Sequence, residues 1–257
     1  MLVALALKYH YSRSGSDALI WMLTPTAEVV EQVSGVRFTW EHHTGFVSQD
    51  RRVIIAPSCA GINFMLMAFG MAVFSGIGYF SNKRDKGFWL AGCLAGSYLL
   101  TIAVNAGRII VSMLLYDADI YTAWLTPQRI HRLTGTLIYF LALRLFYILI
   151  IWVLSRRTDG YADSPIIGIS NRKIAEKWGY WSDIGLVPLF WYGLFALGIP
   201  LLHTAGGLSH TLLMEHSWMV ISGCLLVILF VFLIHSGIRR MKQNGSARCR
   251  NKVKPDG

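Results

Sequence analysis

Five stretches of the chain stay apolar on every face for 17 to 28 residues: Ile62 to Phe80, Phe88 to Leu115, Leu133 to Leu154, Ile184 to Leu202 and Trp218 to Ile234. A helix with no polar face has no side to offer to water, and about 20 residues at ~1.5 Å each match the hydrocarbon thickness of a bilayer. Each run therefore predicts a transmembrane helix. The second is over-long and is expected to leave the membrane before its end. Ahead of Ile62 the pattern changes. Ser16 to Val33 has an amphipathic period and predicts a helix broken near Pro25, because an internal proline removes an N–H and crowds the preceding turn. Val36, Phe38 and Trp40 alternate as in a strand, and Val53-Ile54-Ile55 is placed to pair back across Gly45. The apolar start Leu2 to Leu7 is short, follows no basic region and leads into Lys8-Tyr9-His10-Tyr11, so it does not read as a cleavable signal. It reads either as the stump of a sixth, N-terminal transmembrane helix or as a short membrane-skimming segment.

Charge then orients these elements. Basic residues cluster in Asn82-Lys83-Arg84-Asp85-Lys86-Gly87, in Ser155 to Trp181 (Arg156, Arg157, Arg172, Lys173 and Lys177) and in a tail with seven basic residues from Arg239 to Lys254. Loops rich in Lys and Arg stay on the cytoplasmic side. Thr204 to Ser217 has no Lys or Arg and Tyr116 to Ile130 has only Arg129, as expected of the outside. The N-terminal region holds Lys8, Arg13, Arg37, Arg51 and Arg52 but is long, and long segments are less bound by this rule. The expected fold is an all-α membrane protein: a multi-pass bundle of five helices, with the sixth left open, under a small extracytoplasmic N-terminal cap of helix plus hairpin. The expected divisions are 1–57 for the N-terminal segment and cap, 58–156 for a catalytic transmembrane core, 157–182 for a cytoplasmic loop, and 183–257 for an accessory helix pair with a basic cytoplasmic tail.

Composition agrees with a membrane solvent. The 257 residues are 54% hydrophobic and 15% charged, with a mean hydropathy of +0.47, too apolar for an ordinary soluble domain. The net charge of +10 does not indicate nucleic acid, since the basic residues lie in short clusters between apolar runs. The four cysteines form no CxxC pair, which leaves neither a zinc knuckle nor a dithiol redox pair supported.

Three residues reach one depth by independent counts. Cys59 precedes Lys83 by 24 residues, Arg108 follows Arg84 by 24, and His131 precedes Arg156 by 25, so all three lie near the outer boundary. Cys59, in Pro57-Ser58-Cys59-Ala60-Gly61, stands where an apolar helix begins, and a helix N-terminus favours thiolate over thiol. A lone cysteine is more commonly an inert small hydrophobe. Cys93, Cys224 and Cys249 fall in membrane helices or the basic tail, with structural or incidental roles. Arg108 has Asn105 on the same helical face, and its guanidinium suits a peptide carbonyl or carboxylate, although a boundary arginine can equally snorkel to phosphate. Arg144 lies deeper, far from the thiol, and needs a partner or water. His131 can exchange protons with a thiol and a leaving amine, or it can simply be an interfacial residue opening a helix. His42, His43, His203, His210 and His216, with Glu41 and Glu215, lie toward the same side, but no short metal-ligand motif joins them and no metal is expected.

Taken together, Pro57-Ser58-Cys59-Ala60-Gly61-Ile62-Asn63-Phe64, then Asn105-Ala106-Gly107-Arg108-Ile109, then His131-Arg132-Leu133-Thr134-Gly135 resemble the Cys, Arg and His blocks of the exosortase/archaeosortase family. The first block is most similar to the exosortase K branch, and the likeness spans Tyr9 to Leu154. The resemblance implies a cysteine transpeptidase of the prokaryotic cytoplasmic (inner) membrane, with its active site outside and its C-terminus cytoplasmic. Such an enzyme cleaves a C-terminal sorting tag, made of a short motif, a membrane helix and a basic end, from exported proteins. Cys59 then forms the thioester, His131 moves the proton, Arg108 positions or polarises the substrate, and Asn63, Asn105, Gly61 and Gly135 are the supporting positions. The partners implied are membrane-anchored tagged proteins, the bilayer and an acceptor nucleophile whose identity is open, with no cofactor. Many members have about eight helices, more than the five counted here, and the pair after Ile184 falls outside the likeness. The competing reading is a transporter or receptor binding an anion through Arg108 and Arg144. A thiol oxidoreductase ranks third, because Cys59 has no evident resolving partner.

Overall fold

A computed structural model describes residues 15–50, 53–118, 126–158, 186–198, 218, 221–226 and 229; the side chains of residues 127, 128, 131, 157, 158, 197 and 198 lie outside that description. Within it, a 3-10 turn at Ser16–Leu19 leads into helix α1 (Ile20–Ser34). Gly35 ends α1, its N–H donating to the Glu31 carbonyl at 2.8 Å. Three short antiparallel strands follow in the order β1 (Phe38–Glu41), β2 (Gly45–Ser48) and β3 (Ile54–Ile55). Trp40 pairs with Phe46, and Val47 with Ile54. The strand alternation of the sequence is thus a small three-stranded sheet, the exception in an otherwise helical chain.

The break expected at Pro25 is absent, and α1 runs straight through it. Pro25 cannot donate to the carbonyl one turn earlier, that of Trp21. The hydroxyl of Tyr98 donates to that carbonyl instead, at 3.1 Å, and the Trp21 and Tyr98 rings stack at 5.7 Å. The orphaned acceptor is satisfied from a neighbouring helix, so the helix has no reason to end there.

Among the described residues, three helices are long and apolar enough to cross a membrane. Helix α2 (Ile62–Gly76) is preceded by a 3-10 turn at Pro57–Cys59 and extended by another at Ile77–Tyr79; α3 is Lys83–Asp117 and α4 is Pro127–Thr158. The 35 residues of α3 span about 50 Å against a hydrocarbon core of about 30 Å, so this helix extends beyond it, as its length in the sequence required. Of the two remaining apolar runs, α5 (Leu186–Gly193) with a π-helical turn at Leu194–Gly198 is described in one, and residues 221–226 are helical in the other. Apart from residues 218 and 229, the rest of both runs lies outside the described residues, as do the N-terminal run, the basic loop between α4 and α5 and the tail.

Two apolar cores result. One joins the N-terminal unit to the ends of α2 and α3: Met22, Leu23 and Val30 of α1 and Ile55 of β3 are buried with Ala60, Ala106 and Ile109. The other fills the space among α2, α3, α4 and α5, with Phe64, Met71, Phe140, Leu143 and Tyr192 at its centre. Tyr192 meets Phe140 edge-on at 5.9 Å, so α5 packs into the bundle directly. The polar residues of α3 point inward, where Ser97, Thr101, Asn105 and Arg108 are all buried, while Phe88, Leu94 and Leu99 are exposed. That inversion of the soluble pattern suits lipid outside and hydrogen-bonding groups between helices.

Candidate functional site

Cys59 enters the site from the sheet. β3 ends at Ile55, Ala56 is extended, and Pro57 begins the 3-10 turn in which the Cys59 N–H donates to the Ala56 carbonyl at 2.8 Å. The thiol is free and half-buried. Cys59 stands where the candidate span Pro57–Tyr79 begins, as expected, but in its 3-10 turn: the α-helical part starts at Ile62, with Gly61 at its N-cap in the left-handed region at φ +68°. The Cys59 N–H is already used within its own turn, and the free amides of α2 follow Gly61 in the chain.

Gly61 fits for two reasons. Its positive φ costs little only for glycine, and a Cβ there would collide with the Asn105 carboxamide. Asn105 therefore lies directly against the turn that carries Cys59. Asn105 Oδ1 accepts a hydrogen bond from the Tyr139 hydroxyl of α4 at 2.5 Å. The Tyr139 ring stacks on Phe64 of α2, with centroids 4.8 Å apart, and the Arg108 guanidinium carbon stands 5.1 Å from its centroid. Arg108 also runs along α4 at Gly135, where an added Cβ would sit 3.5 Å from Cδ of Arg108. One aromatic ring thus locks α2, α3 and α4 together beside the thiol turn.

Two donors in this cluster are left over. Asn105 Nδ2 and Arg108 Nε are buried and have no hydrogen-bond partner among the described residues. A buried donor left unsatisfied costs about 1–3 kcal/mol, so this is a place suited to an incoming oxygen. The chemistry available is a nucleophile, a fixed cation and a free carboxamide N–H on one seam between helices.

Of the residues expected from sequence, the structure brings Gly61, Asn105, Arg108 and Gly135 together, with Cys59 two residues from Gly61. His131 lies in the first turns of α4, four residues before Gly135 and on the same helical face by periodicity; its side chain is outside the described residues. Asn63 is exposed and stands apart, while its neighbour Phe64 turns inward beneath Tyr139. Arg144 is buried in α4 but follows Gly135 by nine residues, about 13 Å further along the axis, so it does not share this site with Arg108. Tyr139 was missed in the sequence. Its signal was present, since His131, Gly135 and Tyr139 recur every four residues on one helical face.

Residues 1–148 match the family model described as transmembrane exosortase. No curated protein and no solved structure matches the chain.

Proposed function

The chain belongs to the transmembrane exosortase family, and from that premise we propose that it is a membrane cysteine transpeptidase with Cys59, Arg108 and His131 as its catalytic residues. Family and apolar helices together mark a membrane-associated sorting enzyme. The finer reading takes the thiol side of the bundle as the outer face of a prokaryotic inner membrane, with the C-terminal tail in the cytoplasm. It keeps the first block's likeness to the exosortase K branch. The observation that carries it is the contact seam: Gly61 against Asn105 and Gly135 against Arg108 draw the three blocks to one level.

The Cys59 thiolate attacks the carbonyl carbon of the peptide bond before the tag's membrane helix. A C–S bond forms and the C–N bond breaks, with His131 taking the thiol proton and passing it to the leaving amine. Arg108 and the free Asn105 N–H face the developing oxyanion. An acceptor nucleophile then attacks the thioester and gives its proton to His131, the C–S bond breaks and the thiolate returns. The tag helix diffuses in the same bilayer, so the scissile bond arrives already at the right depth.

The test is co-expression with a tagged substrate ending in an apolar helix and a basic cluster. The wild type is expected to release the tag and to give a hydroxylamine-sensitive adduct on Cys59. Cys59→Ala should give neither at equal membrane abundance, and equal processing by both would remove Cys59 from the mechanism. The anion-transporter reading draws on the burial of Arg108 and Arg144, but their separation along the bundle supplies no single clamp.

A further inference from the structure

Outside the interhelical site, one cluster brings metal-ligating atoms together from two separate elements. Asp17 sits on the 3-10 turn that opens α1, while His42 and His43 occupy the tip of the hairpin between β1 and β2. Nδ1 of His42 is 3.1 Å from one Asp17 carboxylate oxygen, and Nδ1 of His43 is 3.6 Å from the other. Ligand atoms from all three side chains lie within 4.8 Å of one another, and all three residues are exposed.

Consecutive residues of a strand send their side chains to opposite faces, so adjacent histidines do not ordinarily converge. His43 departs from that geometry: its φ of +65° is the left-handed conformation, unusual for a residue other than glycine. The turn thereby sets both imidazoles on Asp17, with ring centroids 4.4 Å apart. Two ring nitrogens and a carboxylate oxygen thus face one small space, of a size that a divalent cation fills.

We infer that Asp17, His42 and His43 form a binding site for one borderline divalent transition-metal ion, with Zn²⁺ the best match. Bonds of about 2.0–2.1 Å in a tetrahedron set neighbouring donors about 3.3–3.4 Å apart. The two nitrogen–oxygen separations, each to a different oxygen of Asp17, lie on either side of that value, so a small rotation of these exposed side chains presents one oxygen with both nitrogens. Two imidazoles and a carboxylate suit zinc, copper or nickel rather than calcium or magnesium, and the fourth position is open to water. The ion ties the start of α1 to the hairpin tip. Because β2 pairs with β3, and β3 runs into the Pro57–Cys59 turn, the site braces the scaffold that leads to the thiol. It does not rest on the proposed transpeptidase activity.

The experiment uses the full chain in detergent, stripped with a chelator and titrated with Zn²⁺ alone. One equivalent per chain is expected, with a rise in unfolding temperature. His43→Asn is the decisive variant, since asparagine tolerates the left-handed turn but lacks an imidazole. It and Asp17→Asn should each weaken binding at least about 10-fold and abolish the thermal shift. Co²⁺ should give tetrahedral visible bands without a thiolate charge-transfer band. Failure of the wild type to take up Zn²⁺, retention of wild-type affinity by both variants, or a thiolate band from Cys59 would each overturn the site.

Discussion

Asn105, Arg108 and Tyr139 between the helices, and Asp17, His42 and His43 at the hairpin tip, are both polar groups gathered from distant parts of the chain, but they are held in opposite ways. The first group is clamped by packing: Asn105 is fully buried, Phe64 backs the tyrosine ring, and Gly61 leaves room for nothing larger than hydrogen. Its geometry exists before any ligand arrives, and in a low-dielectric seam each donor acts strongly on charge that develops there. The second group stands in water, where its ion-pair contacts contribute little by themselves. Its geometry becomes rigid only when an ion occupies it. Burial preorganises the one; a ligand must organise the other.

Substitutions should separate these two modes. The largest effect is expected from Arg108→Lys, which keeps the charge but loses the planar fork over Tyr139. Tag processing in cells should fall by about 100- to 1000-fold with unchanged protein in the membrane. Processing at the wild-type rate would show that the fork is not what burial preserves. Next comes Gly61→Ala, which meets both a left-handed backbone and the Asn105 amide. A loss of about 1–3 kcal/mol in stability is expected by denaturation in detergent. Combining it with Asn105→Ala should recover the steric part of that loss but not the backbone part, and simple additivity would contradict the close approach.

A smaller effect belongs to Tyr139→Phe. The ring and its contact with Arg108 remain, while Asn105 Oδ1 loses its donor, at a cost of about 1 kcal/mol. A double-mutant cycle with Asn105→Ala measures the coupling directly. The smallest is His42→Ala without metal, where the unfolding midpoint should stay unchanged within error. A clear drop would mean that the hairpin tip is preorganised by its own contacts, and the contrast between the two sites would disappear.

Much of this was legible in the sequence, for reasons that differ by residue. The helices α2, α3 and α4 follow from long apolar runs, and the basic cluster at Lys83 to Lys86 marks where α3 begins, although it forms the first turn of that helix rather than a loop. The same counts predict one level for Cys59, Arg108 and His131, and the structure adds only that Asn105 and Arg108 lie against Gly61 and Gly135. Pro25 misled because its compensating hydroxyl, on Tyr98, lies 77 residues from the carbonyl it satisfies. The 3-10 turn at Cys59 is not legible in the sequence, because a run of apolar residues does not reveal that Gly61 turns left-handed ahead of α2. Asp17 was not connected with His42 and His43 because no local spacing links a helix start to a hairpin tip.

The sequence by itself determined the apolar character of the chain and the three helices, α2, α3 and α4, that are long and apolar enough to span a membrane. A membrane helix satisfies its backbone within its own segment, so apolarity along one dimension is enough to specify it. Only the tertiary structure decided which polar groups meet. Asn105 against Gly61, Arg108 against Gly135 and Tyr139 across both depend on how three helices rotate and seat against each other, a property of packed side chains that no single segment carries.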